Sequence, residues 1–108
     1  MEVPLEIDVA AAAQLAANLA EAVLLDVREP HELALCHIPG SLNIPMGQVP
    51  ARLGELPGDR QILVLCHHGG RSMRVTQFLR ANDYQRVTNV AGGIDAWAEI
   101  VAPGMPRY

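Results

Sequence analysis

The chain has 108 residues, a length typical of one domain with a single core, and we expect residues 1–108 to form that domain. Half of the residues are apolar and only 4% are aromatic, which excludes a disordered chain and predicts an aliphatic core. The net charge is −4 and no lysine is present, so a lysine nucleophile is excluded and no basic surface for nucleic acid or an anionic membrane is expected.

Cysteine content and hydropathy indicate the compartment. The two cysteines, Cys36 and Cys66, are too few for a disulfide framework, and free thiols persist in reducing compartments. No apolar run approaches the ~20 residues that span a bilayer. The first residues also lack the charged and apolar regions of a secretion signal. We therefore expect a cytoplasmic protein without a membrane partner.

The first half of the chain alternates short strands and helices. Pro4 restricts the first strand to an edge of the sheet. Asp8 is a favoured helix N-cap before an alanine-rich segment, and Pro30 favours the first turn of another helix. The predicted elements are an edge strand at 3–7, a helix at 9–20, a strand buried on both faces at 23–27 and a short helix at 30–35.

The second half continues the same alternation. Val75, Phe78 and Leu79 have the spacing of one helix face, directly after a glycine-rich loop. The predicted elements are a brief strand at 41–43, a short helix at 48–56, a strand at 61–65, a helix at 72–81, a strand at 87–90 and a last helix at 94–100.

Strands that alternate with helices predict an α/β fold, a mostly parallel sheet of roughly five strands with helices on both faces. In sheets of this kind ligands bind beyond the carboxyl ends of the strands. Cys66 directly follows the strand at 61–65, so we expect the functional site around this residue.

Residues 66–72, which we call the cysteine loop, carry the candidate chemistry. Cys66 is followed by two histidines and two glycines, and Arg71 and Ser72 close the loop. A compact loop with glycines lets backbone N–H groups converge on an anion, and the following helix adds its positive end. Arg71 adds a planar guanidinium that can bind an oxyanion. We therefore predict that Cys66 is a thiolate nucleophile in an anion-binding loop.

The simpler interpretation of Cys66 is a small apolar residue that fills space at a strand end, as many free cysteines do. A glycine-rich turn directly after a strand-end thiol serves no packing purpose that we can name. The sequence of the loop therefore favours the nucleophile over the space-filling residue.

Four segments together resemble the single-domain members of the rhodanese, or sulfurtransferase, family, and the resemblance covers nearly the whole chain. Each segment alone is moderately specific, and the four in this order are highly specific. They are Leu-Asp-Val-Arg-Glu-Pro at 25–30, His-Ile-Pro-Gly-Ser-Leu-Asn-Ile-Pro at 37–45, the cysteine loop at 66–72 and Ala-Gly-Gly-Ile-Asp-Ala-Trp at 91–97.

The resemblance implies a rhodanese fold and a transferase that carries sulfur on Cys66 as a persulfide. In this family the thiolate attacks the outer sulfur of thiosulfate or another sulfane donor, and cyanide or a thiol then removes the sulfur. The implied partners are a small anionic sulfur donor and a thiol or protein acceptor, with no metal or other cofactor. The implied substrate-binding residues are those of the loop: His67, His68, Gly69, Gly70, Arg71 and Ser72.

The resemblance also implies residues that support the site. Asp26 and Arg28 are expected to brace the end of the sheet and the cysteine loop. Gly92 and Gly93 are expected to let the backbone pass close to that loop. Trp97 is expected to anchor the last helix in the core.

Other functions remain as alternatives at this point. One is a non-catalytic rhodanese module for binding or regulation, although such modules usually lack the loop cysteine that is present here. Another is a dedicated persulfide carrier for one partner. Phosphatase or arsenate reductase activity is less favoured, because four residues separate Cys66 from Arg71 and the related phosphatases have one residue more.

Several residues have both a functional and a structural interpretation. Cys36 stands where the family commonly has glycine, and we favour a space-filling role over that of a resolving cysteine. His67 and His68 are expected to point apart and to border the pocket, which argues against zinc, while a general-base role stays open. His31 and Glu32 are interpreted as a solvated helix face.

Overall fold

The computed structural model describes residues 3–18 and 20–108. Five strands form one sheet, and every pair of neighbours is parallel. The strands are β1 (Glu6–Ile7), β2 (Ala22–Asp26), β3 (Leu42–Asn43), β4 (Gln61–Leu65) and β5 (Val87–Val90). Their order across the sheet is β1-β5-β4-β2-β3. The α/β fold with a parallel sheet is therefore confirmed, and β1 lies at an edge as Pro4 predicted.

Four α-helices and three other helical segments accompany these strands in the described part of the chain. The α-helices are α1 (Val9–Ala16), α2 (Pro30–Leu33), α3 (Gly70–Ala81) and α4 (Gly93–Ala96). Two 3-10 segments span Met46–Gln48 and Pro50–Glu55, and a π-helical segment, Trp97–Val101, follows α4 directly. None of the helices that the structure describes is both long and apolar enough to cross a bilayer.

The core has two parts, one on each face of the sheet. Alternate side chains of β2 and β4 point to opposite faces, so both strands are buried along their whole length. On one face Val64 and Cys66 pack with Val75 and Leu79 of α3. On the other face Leu63 and Leu65 pack with residues of α1 and with Trp97, which anchors the C-terminal helix as expected.

Strand register places the ends of β2 and β4 side by side. Asp26 pairs with Leu65, and the N–H of Val27 donates to the Leu65 carbonyl at 2.9 Å. Asp26 and Cys66 therefore lie at the same carboxyl edge of the sheet. Arg28 and His67 each lie two residues beyond the end of their strand, in the segments that leave this edge of the sheet.

Most element boundaries agree with the sequence prediction, and the differences have local causes. Asp8 caps α1 as predicted, since its side chain accepts the N–H of Ala11 at 2.9 Å. The helix ends at Ala16 rather than near residue 20, because the chain turns at Asn18, whose carbonyl accepts the N–H of Glu21 at 3.0 Å. Residue 19 of that predicted helix lies outside the described residues.

Two predicted helices differ more in form. The segment at 48–56 is made of 3-10 turns rather than one α-helix, since Arg52 has non-helical angles of φ −119° and ψ 21°. Helix α3 begins at Gly70, earlier than the predicted Ser72, because Gly69 at its N-cap has φ +114°. That left-handed conformation is easily reached by glycine and directs the loop straight into the helix.

Candidate active site

Cys66 lies at the carboxyl end of β4, directly under the N-terminus of α3. Its side chain is buried, with 1% of the residue exposed. The Sγ atom accepts hydrogen bonds from the backbone N–H of Gly69 at 3.0 Å and from the hydroxyl of Ser72 at 3.2 Å. Both donors stabilise negative charge on the sulfur, together with the positive end of α3. The loop therefore surrounds the sulfur with donors, as predicted.

The first residues of α4 hold the cysteine loop from below. The N–H groups of Ile94 and Asp95 donate to the carbonyls of Cys66 and His67, at 2.8 and 3.1 Å. A Cβ atom on Gly93 would overlap both of these carbonyls, so only glycine allows this approach. A trans peptide places its C=O and N–H on opposite sides. The two hydrogen bonds to the Cys66 and His67 carbonyls therefore turn the N–H groups of His67 and His68 away from α4.

Gly92 and Gly69 pack against each other at the same place. A Cβ on Gly69 would lie 3.4 Å from the Gly92 nitrogen, and both residues have positive φ angles, +114° and +80°. The expectation that Gly92 and Gly93 let the backbone pass close to the loop agrees with this geometry. Gly70 has open space around its Cα and serves as the first residue of α3.

Arg28 and Asp26 form a buried pair beside the loop. Arg28 donates to both carboxylate oxygens of Asp26, through Nε at 3.0 Å and Nη2 at 2.8 Å, and both side chains are fully buried. Burial opposes the charge of Arg28, but the hydrogen bonds with Asp26 and Tyr108 outweigh it and raise the pKa of the guanidinium. Arg28 also donates to the carbonyl of Cys36 at 2.9 Å, so the pair ties two loops to the sheet.

Glu32 is a site residue that the sequence analysis missed. The prediction of a solvated face at His31 and Glu32 is wrong for Glu32, which is 7% exposed, whereas His31 is exposed. Both carboxylate oxygens accept from Arg71, each at 2.8 Å, and one also accepts the N–H of Glu29 at 2.8 Å. The hydrogen bonds from Arg71 outweigh burial and hold the pKa of Glu32 well below its ordinary value.

One signal in the sequence could have identified the orientation of Glu32. Glu32 lies three residues after the N-cap residue Glu29, with Pro30 between them, and this spacing is that of a capping box. The structure forms that box. Such a glutamate turns back towards the start of its helix rather than into solvent. Its pairing with Arg71, 39 residues later, carries no local signal.

Arg71 therefore does not stand free above Cys66. Its guanidinium is bound to Glu32 and 33% of its side chain remains exposed. The hydrogen bonds with Glu32 are the main cause of the raised pKa of the Arg71 guanidinium. The predicted role of Arg71 towards an anionic donor must consequently be considered together with Glu32.

Tyr108 is a second residue that the sequence analysis did not single out. Its hydroxyl accepts from Arg28 at 3.0 Å and donates to Glu32 at 2.8 Å, so it joins the two ion pairs. Its ring stacks on His67 with centroids 3.8 Å apart, and its carbonyl lies 2.8 Å from Nε2 of His67. These contacts place Tyr108 against the cysteine loop and between the two ion pairs.

His67 and His68 border the site, but not in the predicted way. We expected adjacent histidines to point apart, yet their ring centroids are 3.9 Å apart. His67 also stacks on Tyr108, a contact between residues 41 positions apart that local sequence does not reveal. Among residues 3–18 and 20–108, no group of three or more His, Cys, Asp and Glu side chains is arranged to hold a metal ion.

Cys36 and Cys66 are separate free thiols. Cys36 is buried in the part of the core that contains Trp97, whereas Cys66 belongs to the part that contains Val75, on the other face of the sheet. This placement agrees with a space-filling role for Cys36 and separates its side chain from the cysteine loop.

Comparison with known proteins gives one consistent result. A family model described as Rhodanese-like domain matches residues 11–100. A sulfurtransferase of Allochromatium vinosum is 40% identical over 102 residues, which cover 91% of this chain and 95% of that protein. The putative sulfur carrier protein YrkF of Bacillus subtilis is 38% identical over 74 residues, or 68% of this chain and 40% of that protein.

Solved structures show the same relationship. The human single domain sulfurtransferase TSTD1 superposes with a TM-score of 0.80 at 28% identity, covering 91% of this chain and 98% of that one. Reduced CoADR-RHD of Bacillus anthracis superposes with a TM-score of 0.84 at 33% identity. There the match covers 95% of this chain but only 18% of the larger protein. The same fold thus occurs alone and as part of longer chains.

Proposed function

The chain belongs to the rhodanese-like domain family, and from this membership we propose that it is a sulfurtransferase that carries sulfane sulfur on Cys66. The donors that we propose are thiosulfate and organic persulfides, and the acceptors are cyanide and thiols. The family membership supports sulfur transfer in general, and the geometry around Cys66 supports the choice of the sulfur-carrying atom.

The observation that carries the proposal is the surroundings of the Cys66 sulfur. The N–H of Gly69 and the hydroxyl of Ser72 both donate to Sγ, at the N-terminus of α3. Donors in these positions favour a thiolate over a thiol, and they also stabilise a persulfide anion one bond further into the loop. Burial of the sulfur limits contact of the persulfide with water and stray thiols.

The first half-reaction transfers sulfur to the protein. The Cys66 thiolate attacks the outer sulfur of thiosulfate, an S–S bond forms, and the S–S bond of the donor breaks. Sulfite leaves with the electron pair of that bond, so charge balances and no oxidant is consumed. In this step the Gly69 N–H and the Ser72 hydroxyl offset the charge on the attacking sulfur.

The second half-reaction returns the thiolate. Cyanide or an acceptor thiolate attacks the outer sulfur of the Cys66 persulfide, and the product is thiocyanate or a new persulfide. The S–S bond of the persulfide breaks, and the Cys66 thiolate leaves with its electron pair. The Gly69 N–H and the Ser72 hydroxyl again donate to this thiolate. Because both cysteines are free thiols, this chemistry fits a reducing compartment, and we propose the cytoplasm.

The alternatives differ in the fate of the loaded sulfur. A persulfide carrier would load Cys66 and release the sulfur to one protein partner only, whereas a binding module would not load at all. The likeness to a putative sulfur carrier protein keeps the carrier as the second candidate. Phosphatase chemistry is disfavoured by the four residues between Cys66 and Arg71, which leave a narrow loop.

One experiment tests the proposed function directly. The protein is incubated with thiosulfate, and its intact mass is measured for the parent, Cys66→Ala and the matched control Cys36→Ala. We expect one added sulfur in the parent and in C36A, and none in C66A. Transfer to cyanide is measured as thiocyanate, and we expect at least ~100-fold loss in C66A, since the nucleophile is removed.

Other outcomes of the same experiment would decide against the proposal. Sulfur that still adds to C66A would assign the chemistry to another residue. Failure of thiosulfate and of an organic persulfide to load the parent would favour the binding module. Loading without release to either cyanide or small thiols would favour the carrier.

A further inference from the structure

The ion pair between Arg71 and Glu32 sets the charge that faces a sulfur donor. Arg71 donates through both terminal nitrogens, one to each carboxylate oxygen of Glu32, and both distances are 2.8 Å. This bidentate form is the strongest geometry for a guanidinium and a carboxylate. Arg71 retains other N–H groups, but its charge is offset by an acid in direct contact.

Glu32 cannot easily turn away from Arg71. The N–H of Glu29 and the hydroxyl of Tyr108 each donate to it at 2.8 Å, and its side chain is only 10% exposed. Its lowered pKa keeps the carboxylate ionised at neutral pH. The negative charge beside Arg71 is therefore a fixed part of the site.

The other arginines near the cysteine loop do not replace Arg71. Arg28 is fully buried and bound to Asp26. Arg74 lies one turn further along α3, where it lines an apolar groove with Met46 and Phe78. A dianionic donor at Cys66 would therefore meet a guanidinium whose charge is already neutralised, and a carboxylate that repels it.

Resting on the proposed sulfur transfer, we propose that Glu32 is a specificity-determining residue that selects organic persulfides over thiosulfate as sulfur donors. Thiosulfate carries two negative charges and depends on a free cation for binding. An organic persulfide, R–S–SH or R–S–S⁻, carries at most one charge on its reacting end. Neutralisation of Arg71 by Glu32 therefore disfavours thiosulfate more strongly than it disfavours a persulfide.

The favoured step requires no further reactant. The Cys66 thiolate attacks the outer sulfur of R–S–SH, a new S–S bond forms, and the S–S bond of the donor breaks. R–S⁻ leaves with the electron pair, while the proton remains on the transferred sulfur or passes to water. The Arg71–Glu32 pair stays intact throughout, whereas binding of thiosulfate to Arg71 would compete with it.

The test compares two donors in the parent and in Glu32→Gln. Thiosulfate and cysteine persulfide are the probes, and second-order rate constants for loading Cys66 are obtained from intact mass. Because E32Q removes one unit of negative charge beside Arg71, we expect thiosulfate loading to rise about tenfold. Loading by cysteine persulfide, which has a smaller net negative charge than thiosulfate, should change several-fold less, so the ratio of the two rate constants rises.

Two reference variants separate this effect from a general change in charge. Arg52 and Glu55 form a similar bidentate pair on the second 3-10 segment, with distances of 2.7 and 2.8 Å. Glu55→Gln changes the net charge of the protein equally and should leave the donor ratio unchanged. The double variant E32Q/R71Q should lose the gain in thiosulfate loading, because that gain requires Arg71.

A second readout does not depend on sulfur transfer. Cys66 is alkylated with iodoacetate, which is anionic, and with iodoacetamide, which is neutral, in the C36A background. If Glu32 neutralises Arg71, the iodoacetate to iodoacetamide rate ratio should rise at least ~threefold in E32Q. This ratio reports the charge at Cys66 even in a protein that transfers no sulfur.

The outcomes distinguish this proposal from the proposed function. A donor ratio and an alkylation ratio that are equal in the parent and E32Q would overturn the role of Glu32 and leave sulfur transfer by Cys66 intact. Equal losses with both donors would make Glu32 purely structural and overturn its role in specificity. Absence of loading by either donor in the parent would overturn both proposals.

Discussion

Two arginine–carboxylate pairs lie at the carboxyl edge of the sheet, and they differ in what surrounds them. Arg28 and Asp26 are both fully buried, and Arg28 also donates to backbone carbonyls of neighbouring loops. Arg71 and Glu32 have equally short distances, but a third of the Arg71 side chain is exposed to solvent. The Arg28–Asp26 pair stabilises the backbone at this edge of the sheet. The Arg71–Glu32 pair is accessible to a donor that approaches Cys66.

The comparison shows that similar ion-pair distances do not imply similar roles. A buried pair that loses one partner leaves an uncompensated charge in the interior, which is very unfavourable. A partly exposed pair that loses one partner leaves a charge that water can solvate, and its main effect is on what binds there.

The largest effect is expected for Arg28→Ala. The substitution leaves Asp26 buried without its partner, and we expect the free energy of unfolding to fall by about 3–5 kcal/mol. Urea unfolding followed by circular dichroism measures the change. The control is Arg52→Ala, which breaks the exposed pair with Glu55 and should change the stability much less, because water screens exposed charges. Equal losses in the two variants would contradict a special role for the buried pair.

An intermediate and pH-dependent effect is expected for Glu32. Its pKa is lowered in the folded protein from the ordinary value of 4.5, so the folded state binds this proton less readily than the unfolded chain. Ionised Glu32 therefore stabilises the fold above that value, and the contribution is lost progressively as pH falls below it.

The measurement for Glu32 is the difference in unfolding free energy between the parent and E32Q. We expect about 1–3 kcal/mol in favour of the parent at neutral pH, declining as pH decreases below about 4.5. The same pair of titrations for E55Q should show a smaller difference, because that pair is exposed. A difference that does not change with pH would show that the charge of Glu32 is not the source of its stabilisation.

The smallest effect is expected for Tyr108→Phe, which removes the hydroxyl that joins the two pairs. Arg28 and Glu32 each lose one hydrogen bond but keep their main partner, so we expect a loss of about 1 kcal/mol. The stacking on His67 is retained by phenylalanine. A loss as large as that of R28A would mean that Tyr108, rather than Asp26, is the partner on which Arg28 depends.

Much of the fold was predictable because its signals are local. The strands at 61–65 and 87–90 have the predicted bounds, and Asp8 and Pro30 occupy the predicted positions at helix starts. The short helix predicted at 48–56 is present at Pro50–Glu55 as 3-10 turns, and the sequence did not indicate the non-helical backbone angles at Arg52. The final helix continues beyond Ala96 as a π-helical segment, which its sequence did not indicate.

The site likewise has a part that local sequence predicts and a part that it does not. The cysteine loop could be predicted from the sequence, because the proposed nucleophile, the glycines and the helix after them are consecutive in the chain. The Gly69 N–H and the Ser72 hydroxyl, which both donate to the sulfur, lie within this one segment. The sequence also indicated that Gly93 would approach the loop closely.

What the loop faces depends on the tertiary structure. Glu32 lies 39 residues before Arg71 and Tyr108 lies 76 residues after Glu32, and no local pattern couples them. Glu32 and Arg71 meet because parallel strands bring the ends of β2 and β4 to one edge of the sheet, where the segment after each strand must find partners for its polar groups. Tyr108 reaches them from the segment that follows the last helix. The proposed nucleophile is thus a property of one short segment, whereas the charged groups that surround it are a property of the assembled fold.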